Sequence, residues 1–195
     1  MIRSMLFLPG NTPNMLINGD ALGADAVILD LEDAVSPQEK DAARILVRNA
    51  LSRMGFGCRT VVRINALDSG LCQADLEEIV PQGPTALMLP KTANAGQIQQ
   101  LDAEITRLEQ QNGMKPGRVG VIALLGSALG VENAFSIATA SPRVLGLFLG
   151  GEDLTADLQC KRTKEGREID YARQRVVPQV LGESRRWLEG REGDG

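Results

Sequence analysis

Three carboxylates stand close together at Asp30, Glu32 and Asp33, directly after the apolar run Ala26-Val27-Ile28-Leu29. Carboxylates at the end of a buried run are costly unless ions or hydrogen bonds compensate them. The same placement recurs along the chain: Arg63 and Asn65 close one apolar run, Lys91 follows another, and Glu152 and Asp153 follow a third. Together these groups predict one pocket that holds acids and a buried cation. Magnesium would suit it, because that ion takes one or two carboxylates and completes its shell with water and substrate oxygens. Any one of these residues could equally serve only to cap a helix or a turn. Taken as a set, a functional role outweighs that reading.

The chain contains no histidine. A Ser-His-Asp triad, a Cys-His pair and a His-ligated zinc site are therefore excluded within it. Acid–base chemistry must use carboxylates, lysine, tyrosine or water. Cys58, Cys72 and Cys160 lack metal-ligand spacing and read as structural thiols in a reducing cytoplasm. The net charge of −4, with both signs interspersed and one Trp and one Tyr, gives nucleic-acid binding little support. No apolar run reaches the roughly 20 residues that span a bilayer. The opening MIRSMLFLPG is broken by Pro9 and Gly10 and lacks the length and cleavage site of a signal peptide.

Elements must bring these distant residues together. Short apolar runs predict strands at Met5–Leu8, Ala26–Leu31, Thr60–Asn65, Ala86–Pro90, Arg118–Leu125 and Val144–Leu149. Longer amphipathic runs predict helices over 13–22, 37–52, 71–79, 94–111 and 131–140, a helical turn at 154–158 and a final helix over 171–188 interrupted by Pro178. Thr12-Pro13 and Ser36-Pro37 are cap-then-proline signatures that open two of them. Residues 1–188 read as one domain, and the polar 189–195 as a frayed tail. Strands alternating with helices predict a parallel sheet covered by helices. Periodicity does not choose between an open doubly wound sheet and most of a barrel. No G-x-G-x-x-G or Walker pattern follows any strand, which lowers the odds of a nucleotide site or a phosphate-binding barrel enzyme. In either fold the strand C-terminal ends share one face, where active sites sit.

Arg3-Ser4 with Leu6-Phe7-Leu8-Pro9-Gly10, Ala26 to Val35, Val62-Arg63-Ile64-Asn65, Met88-Leu89-Pro90-Lys91, Gly150 to Leu158, Arg162-Thr163 and Tyr171-Ala172-Arg173 follow one another along the chain. In that order they resemble segments of the family of citrate lyase beta subunits and malyl-CoA or citramalyl-CoA lyases. The resemblance covers about residues 2–177 and implies a TIM-type (β/α) barrel, here incomplete or compressed to about six strands. It implies Mg²⁺-dependent retro-Claisen cleavage of a citryl-type thioester, carried by acyl-carrier protein or CoA, to an acetyl thioester and oxaloacetate. It also implies a trimeric or hexameric homo-oligomer, with citrate lyase partner subunits, in the cytoplasm. Under it Arg63 clamps a substrate carboxylate, for which a planar bidentate guanidinium is suited. Asp153 ligates the metal, Asp30 and Glu32 line the catalytic pocket, and Arg3 is a candidate CoA contact.

Two departures from the family pattern stand out. Gly126 occupies the place of a metal-ligating Glu, and Ala93 that of an acid after Pro90-Lys91. Glu132 and Glu152 are the nearest acids that could substitute. The resemblance further implies two more strands and a C-terminal lid that these 195 residues do not supply. Rival readings are a stand-alone citramalyl-CoA or malyl-CoA lyase, and a shortened non-catalytic relative that keeps the fold.

Overall fold

The computed structural model describes residues 2–177. Six strands form one sheet: β1 (Met5–Pro9), β2 (Ala26–Asp30), β3 (Arg59–Arg63), β4 (Ala86–Leu89), β5 (Gly120–Leu125) and β6 (Val144–Leu149). Their order is β1-β2-β3-β4-β5-β6, and the pairings β1/β2, β2/β3, β3/β4 and β5/β6 are parallel. A doubly wound sheet reverses its order at a switch point. Consecutive order without reversal is that of a (β/α) barrel, which resolves the choice that periodicity left open. All residues of β2, β4 and β5 are buried, as expected of strands covered on both faces. β6 is half-buried throughout, and in β1 only Leu8 is fully buried.

The helices are α1 (Pro13–Asn18), α2 (Lys40–Arg53), α3 (Cys72–Ile79), α4 (Ala95–Gln111), α5 (Ala128–Glu132), α6 (Ala134–Ala138) and α7 (Gly151–Asp157). Residues 170–177 are also helical. The rest of the helix expected over 171–188, with Pro178, and the tail 189–195 lie outside the described residues. Thr12 and Ser36 make no side-chain cap. The Thr12 hydroxyl turns to Asn11 Oδ1, and that of Ser36 donates to Glu39 Oε2 at 2.9 Å. Proline therefore does more than the caps to start these turns, since its fixed φ already suits the first helical position. The helix expected over 131–140 is two short ones broken at Asn133, with the Ser127 hydroxyl accepting Gly130 N–H at 3.1 Å.

By backbone contacts the chain falls into two compact units. One comprises the residues up to Met88 together with Ala103–Gly120. Its interior includes Leu16, Ile28, Leu29, Ile64, Leu76, Ile79 and Leu87, all fully buried. Burying each such side chain contributes roughly 1.5–3 kcal/mol. Gly83, at φ +64°, turns the chain from the end of α3 into β4, a left-handed conformation that a Cβ would strain. Asp75 on α3 is fully buried and accepts Arg44 Nε at 2.8 Å, Asn65 N–H at 2.9 Å and Asn65 Nδ2 at 2.7 Å. The α2–α3 contact is thus made through a charged, hydrogen-bonded network, and Asn65 just beyond β3 hangs from it.

The other unit comprises Leu89–Asp102 and, of the described residues, those from 121 to 177. Val131, Leu154, Ile169 and Ala172 form a buried cluster, with Leu149 packed against it. Asp102 accepts Ser141 Oγ at 2.6 Å and Arg143 Nε at 2.5 Å, tying α4 to the turn before β6.

The three cysteines are free: Cys72 is buried, Cys58 half-buried and Cys160 exposed. Among the described residues no helix is long and apolar enough to cross a membrane.

Candidate functional site

In the parallel register Asp30, the last residue of β2, lies beside Arg63, the last residue of β3. Both strand ends therefore present their charged side chains at the same level. Asp30 accepts Arg63 Nε at 2.8 Å and Nη2 at 2.5 Å, a two-pronged pair of the kind guanidinium and carboxylate geometry favours. Its oxygens also accept Glu32 N–H at 2.8 Å and Ala34 N–H at 3.3 Å. Four donors account for the usual acceptor capacity of a carboxylate, so Asp30 is built into the site as an anchor. Glu32 Oε2 lies 3.1 Å from Arg63 Nη1, and Asp33 Oδ2 lies 3.5 Å from the same nitrogen. Glu32 is buried, whereas the Asp33 side chain is 57% exposed.

The Arg63 guanidinium also lies over the Phe7 ring, 5.1 Å from its centroid. Phe7 is two residues before Pro9, the register partner of Asp30, and strand alternation puts residues two apart on one face. Burial opposes the charged form of Arg63. The hydrogen bonds and charge of Asp30, with the charges of Glu32 and Asp33, outweigh it and hold the guanidinium above its ordinary pKa.

Asp153, in the first turn of α7, is in the other unit. It faces Gly126: a Cβ built on that glycine would lie 2.8 Å from Asp153 Cβ and 3.1 Å from Asp153 Oδ2. A Cβ on Gly150 would lie 3.3 Å from the same oxygen. Two glycines thus leave a cradle around one hard oxygen donor. Among the described residues, no three His, Cys, Asp or Glu side chains form a metal-holding group. A single carboxylate is still compatible with magnesium, which draws most of its shell from water and substrate.

The two acids that could have replaced the missing Glu have other partners. Glu132 accepts the Tyr171 hydroxyl at 2.5 Å, with Arg175 Nε 4.0 Å away. Glu152 is 83% exposed and lies 3.5 Å from Arg162. Lys91 is exposed and adopts φ +51°; the buried cations of the described residues are arginines, among them Arg63 and Arg44. Arg3 is exposed and pairs with Asp25 at 3.2 Å. Sequence reasoning missed Phe7 and Asp75. Only register could have joined Phe7 to Arg63, and only the helix packing joins Asp75 to Asn65.

The family model described as HpcH/HpaI aldolase/citrate lyase matches residues 3–180. The citrate lyase subunit beta of Leuconostoc mesenteroides subsp. cremoris is 42% identical over 176 residues, 90% of this chain and 58% of that protein. The L-malyl-CoA/beta-methylmalyl-CoA lyase of Cereibacter sphaeroides is 34% identical over 169 residues, 84% of this chain and 52% of that protein. The chain therefore spans little more than half the length of these relatives. A solved structure of a citrate lyase beta subunit from M. tuberculosis, complexed with oxaloacetate and magnesium, superposes with a TM-score of 0.73. It is 32% identical, and the match covers 92% of this chain and 74% of that one.

Proposed function

The chain belongs to the HpcH/HpaI aldolase/citrate lyase family, and from that premise we propose that it cleaves a carbon–carbon bond in a citryl-type thioester. The products are an acetyl thioester and oxaloacetate, and the acyl carrier is a carrier protein or CoA. The observation that carries this reading is the Arg63 guanidinium, fixed by Asp30 and Glu32 at the ends of β2 and β3. A substrate carboxylate takes the place of the exposed Asp33 on Nη1, where the contact is longest. Asp30 and Glu32 act in this site by orienting the guanidinium, and the Phe7 ring supports it from below. Asp153 would hold a magnesium ion in the cradle beside Gly126 and Gly150. When bound, that ion supplies Lewis-acid stabilisation of the oxygen that becomes a carbonyl.

The test uses the purified full chain in Mg²⁺ with citryl-CoA, malyl-CoA and citramalyl-CoA, reading release of the oxo acid. Oxaloacetate from citryl-CoA is the expected product. Cleavage of malyl-CoA or citramalyl-CoA alone would favour the rival whose relative is the Cereibacter enzyme. No cleavage, together with no saturable Mg²⁺ binding, would favour the non-catalytic relative, a reading that Gly126 supports.

The cradle gives a further expected outcome. Gly126→Ala adds a methyl that must push Asp153 aside, and it should weaken Mg²⁺ affinity on the order of tenfold, the scale at which displaced metal-site partners act. Calorimetric Mg²⁺ titration checks this, with Asp153→Asn as the zero point. Equal affinity in wild type and Gly126→Ala would place the ion elsewhere.

A further inference from the structure

Lys40 is the first residue of α2. A cation there faces the positive end of the helix dipole, a placement that is unfavourable by itself. The side chain offsets this through backbone contacts: its ammonium donates to Leu31 O at 2.7 Å and to Glu32 O at 2.6 Å. The amide side of the same two residues is also held, since Leu31 N–H donates to Arg63 O at 2.9 Å and Glu32 N–H to Asp30 Oδ1 at 2.8 Å. The Leu31–Glu32 peptide is therefore held at both its carbonyl and its N–H, and the Glu32–Asp33 peptide at its carbonyl. Lys40 is half-buried, and desolvation lowers its pKa although Asp30, Glu32, Asp75 and Asp33 pull it back up. Arg63 takes the Asp30, Glu32 and Asp33 carboxylates and Lys40 takes the carbonyls, so the two cations divide one acidic turn between them.

We infer that Lys40 is a positioning residue for the Arg63 site, fixing the Leu31–Glu32 backbone so that Glu32 meets Arg63 Nη1. The substrate side of this inference rests on the oxaloacetate reading above; the anchoring side does not. Lys40→Met keeps the apolar stem and removes the charge and its donors. Its amides over residues 31–35 should exchange with deuterium faster than in wild type, while those of β1 stay unchanged. In Mg²⁺ its dissociation constant for oxaloacetate, by calorimetry, should rise roughly tenfold or more, since misplacing a binding group by about 1 Å can cost a hundredfold. Lys40→Arg, which restores a cationic donor, should recover most of both losses.

A second measurement needs no variant. Limited acetylation of the wild-type chain, read by mass spectrometry, should modify Lys40 more slowly than the exposed Lys115, Lys161 and Lys164. Wild-type exchange at 31–35 in Lys40→Met, or acetylation of Lys40 as fast as of Lys161, overturns the inference. If the wild-type chain binds no oxaloacetate, the functional reading fails instead, and exchange and acetylation still decide whether Lys40 is the anchor.

Discussion

Replacing Arg63 by alanine is expected to abolish oxaloacetate binding and to destabilise the chain by about 3–5 kcal/mol, the usual cost of stripping one partner from a buried ion pair. The size of the effect follows from what remains. Asp30 is 1% exposed and Glu32 6%, and with Arg63 gone neither keeps the guanidinium that now offsets its charge. Asp30 would retain the amides of Glu32 and Ala34, which satisfy hydrogen bonds without supplying a full charge. The double variant Arg63→Ala/Asp30→Asn should therefore be more stable than Arg63→Ala alone, because it removes one of the two orphaned charges. Arg63→Lys should recover stability in part and binding poorly, since an ammonium cannot reproduce the two-pronged geometry. Urea unfolding and calorimetry read the two losses separately. Oxaloacetate binding that survives in Arg63→Ala would remove Arg63 from the substrate site.

Asp75→Ala should be the most damaging change remote from the substrate. Asp75 is fully buried and accepts three hydrogen bonds, one from Arg44 and two from Asn65. Without it, Arg44 keeps, among the described residues, Asp41, whose side chain is 86% exposed. Among the described residues Arg44 Nη2 is already buried without a hydrogen-bond partner, so the guanidinium would be left charged and poorly compensated. A loss of about 3–5 kcal/mol is expected, or a fall in Tm of roughly 10 °C for a chain of this size. Asp75→Asn, which keeps one acceptor oxygen, should lose less. A thermal melt within about 2 °C of wild type would show that the network carries little of the stability.

Much of the scaffold was legible before any coordinates. The runs at Ala26–Leu29 and Ala86–Leu89 are apolar throughout because both faces of β2 and β4 are covered, and that pattern is written in residue type. The acids after β2 and the arginine at the end of β3 were legible as chemistry for the same reason: charge at the end of such a run is conspicuous. Their union was not, because it depends on register, and register is a property of two strands at once. Lys40 was read only as part of a helix. Its role comes from side-chain reach back to carbonyls eight and nine residues earlier, which no periodicity encodes. The break at Asn133 was also hidden, since a run of small and apolar residues reads the same in one helix as in two short ones. The meaning of Gly126 as space rather than merely a lost ligand needed Asp153 beside it.

The three thiols differ enough in surroundings to be told apart by reagents. Cys72 is 4% exposed, and burial, helped by Asp75 and Glu104, pushes its thiol up to about 12. Burial first, then Asp20, also raises Cys58. Cys160, exposed just beyond α7, stands in open solvent. Thiolate is the species that alkylates, so a maleimide dye at neutral pH should load Cys160 first, and peptide mapping would verify the order. A single fluorophore, seven residues from Asp153 in sequence, could then signal events at that carboxylate through its emission, with no mutation of the chain.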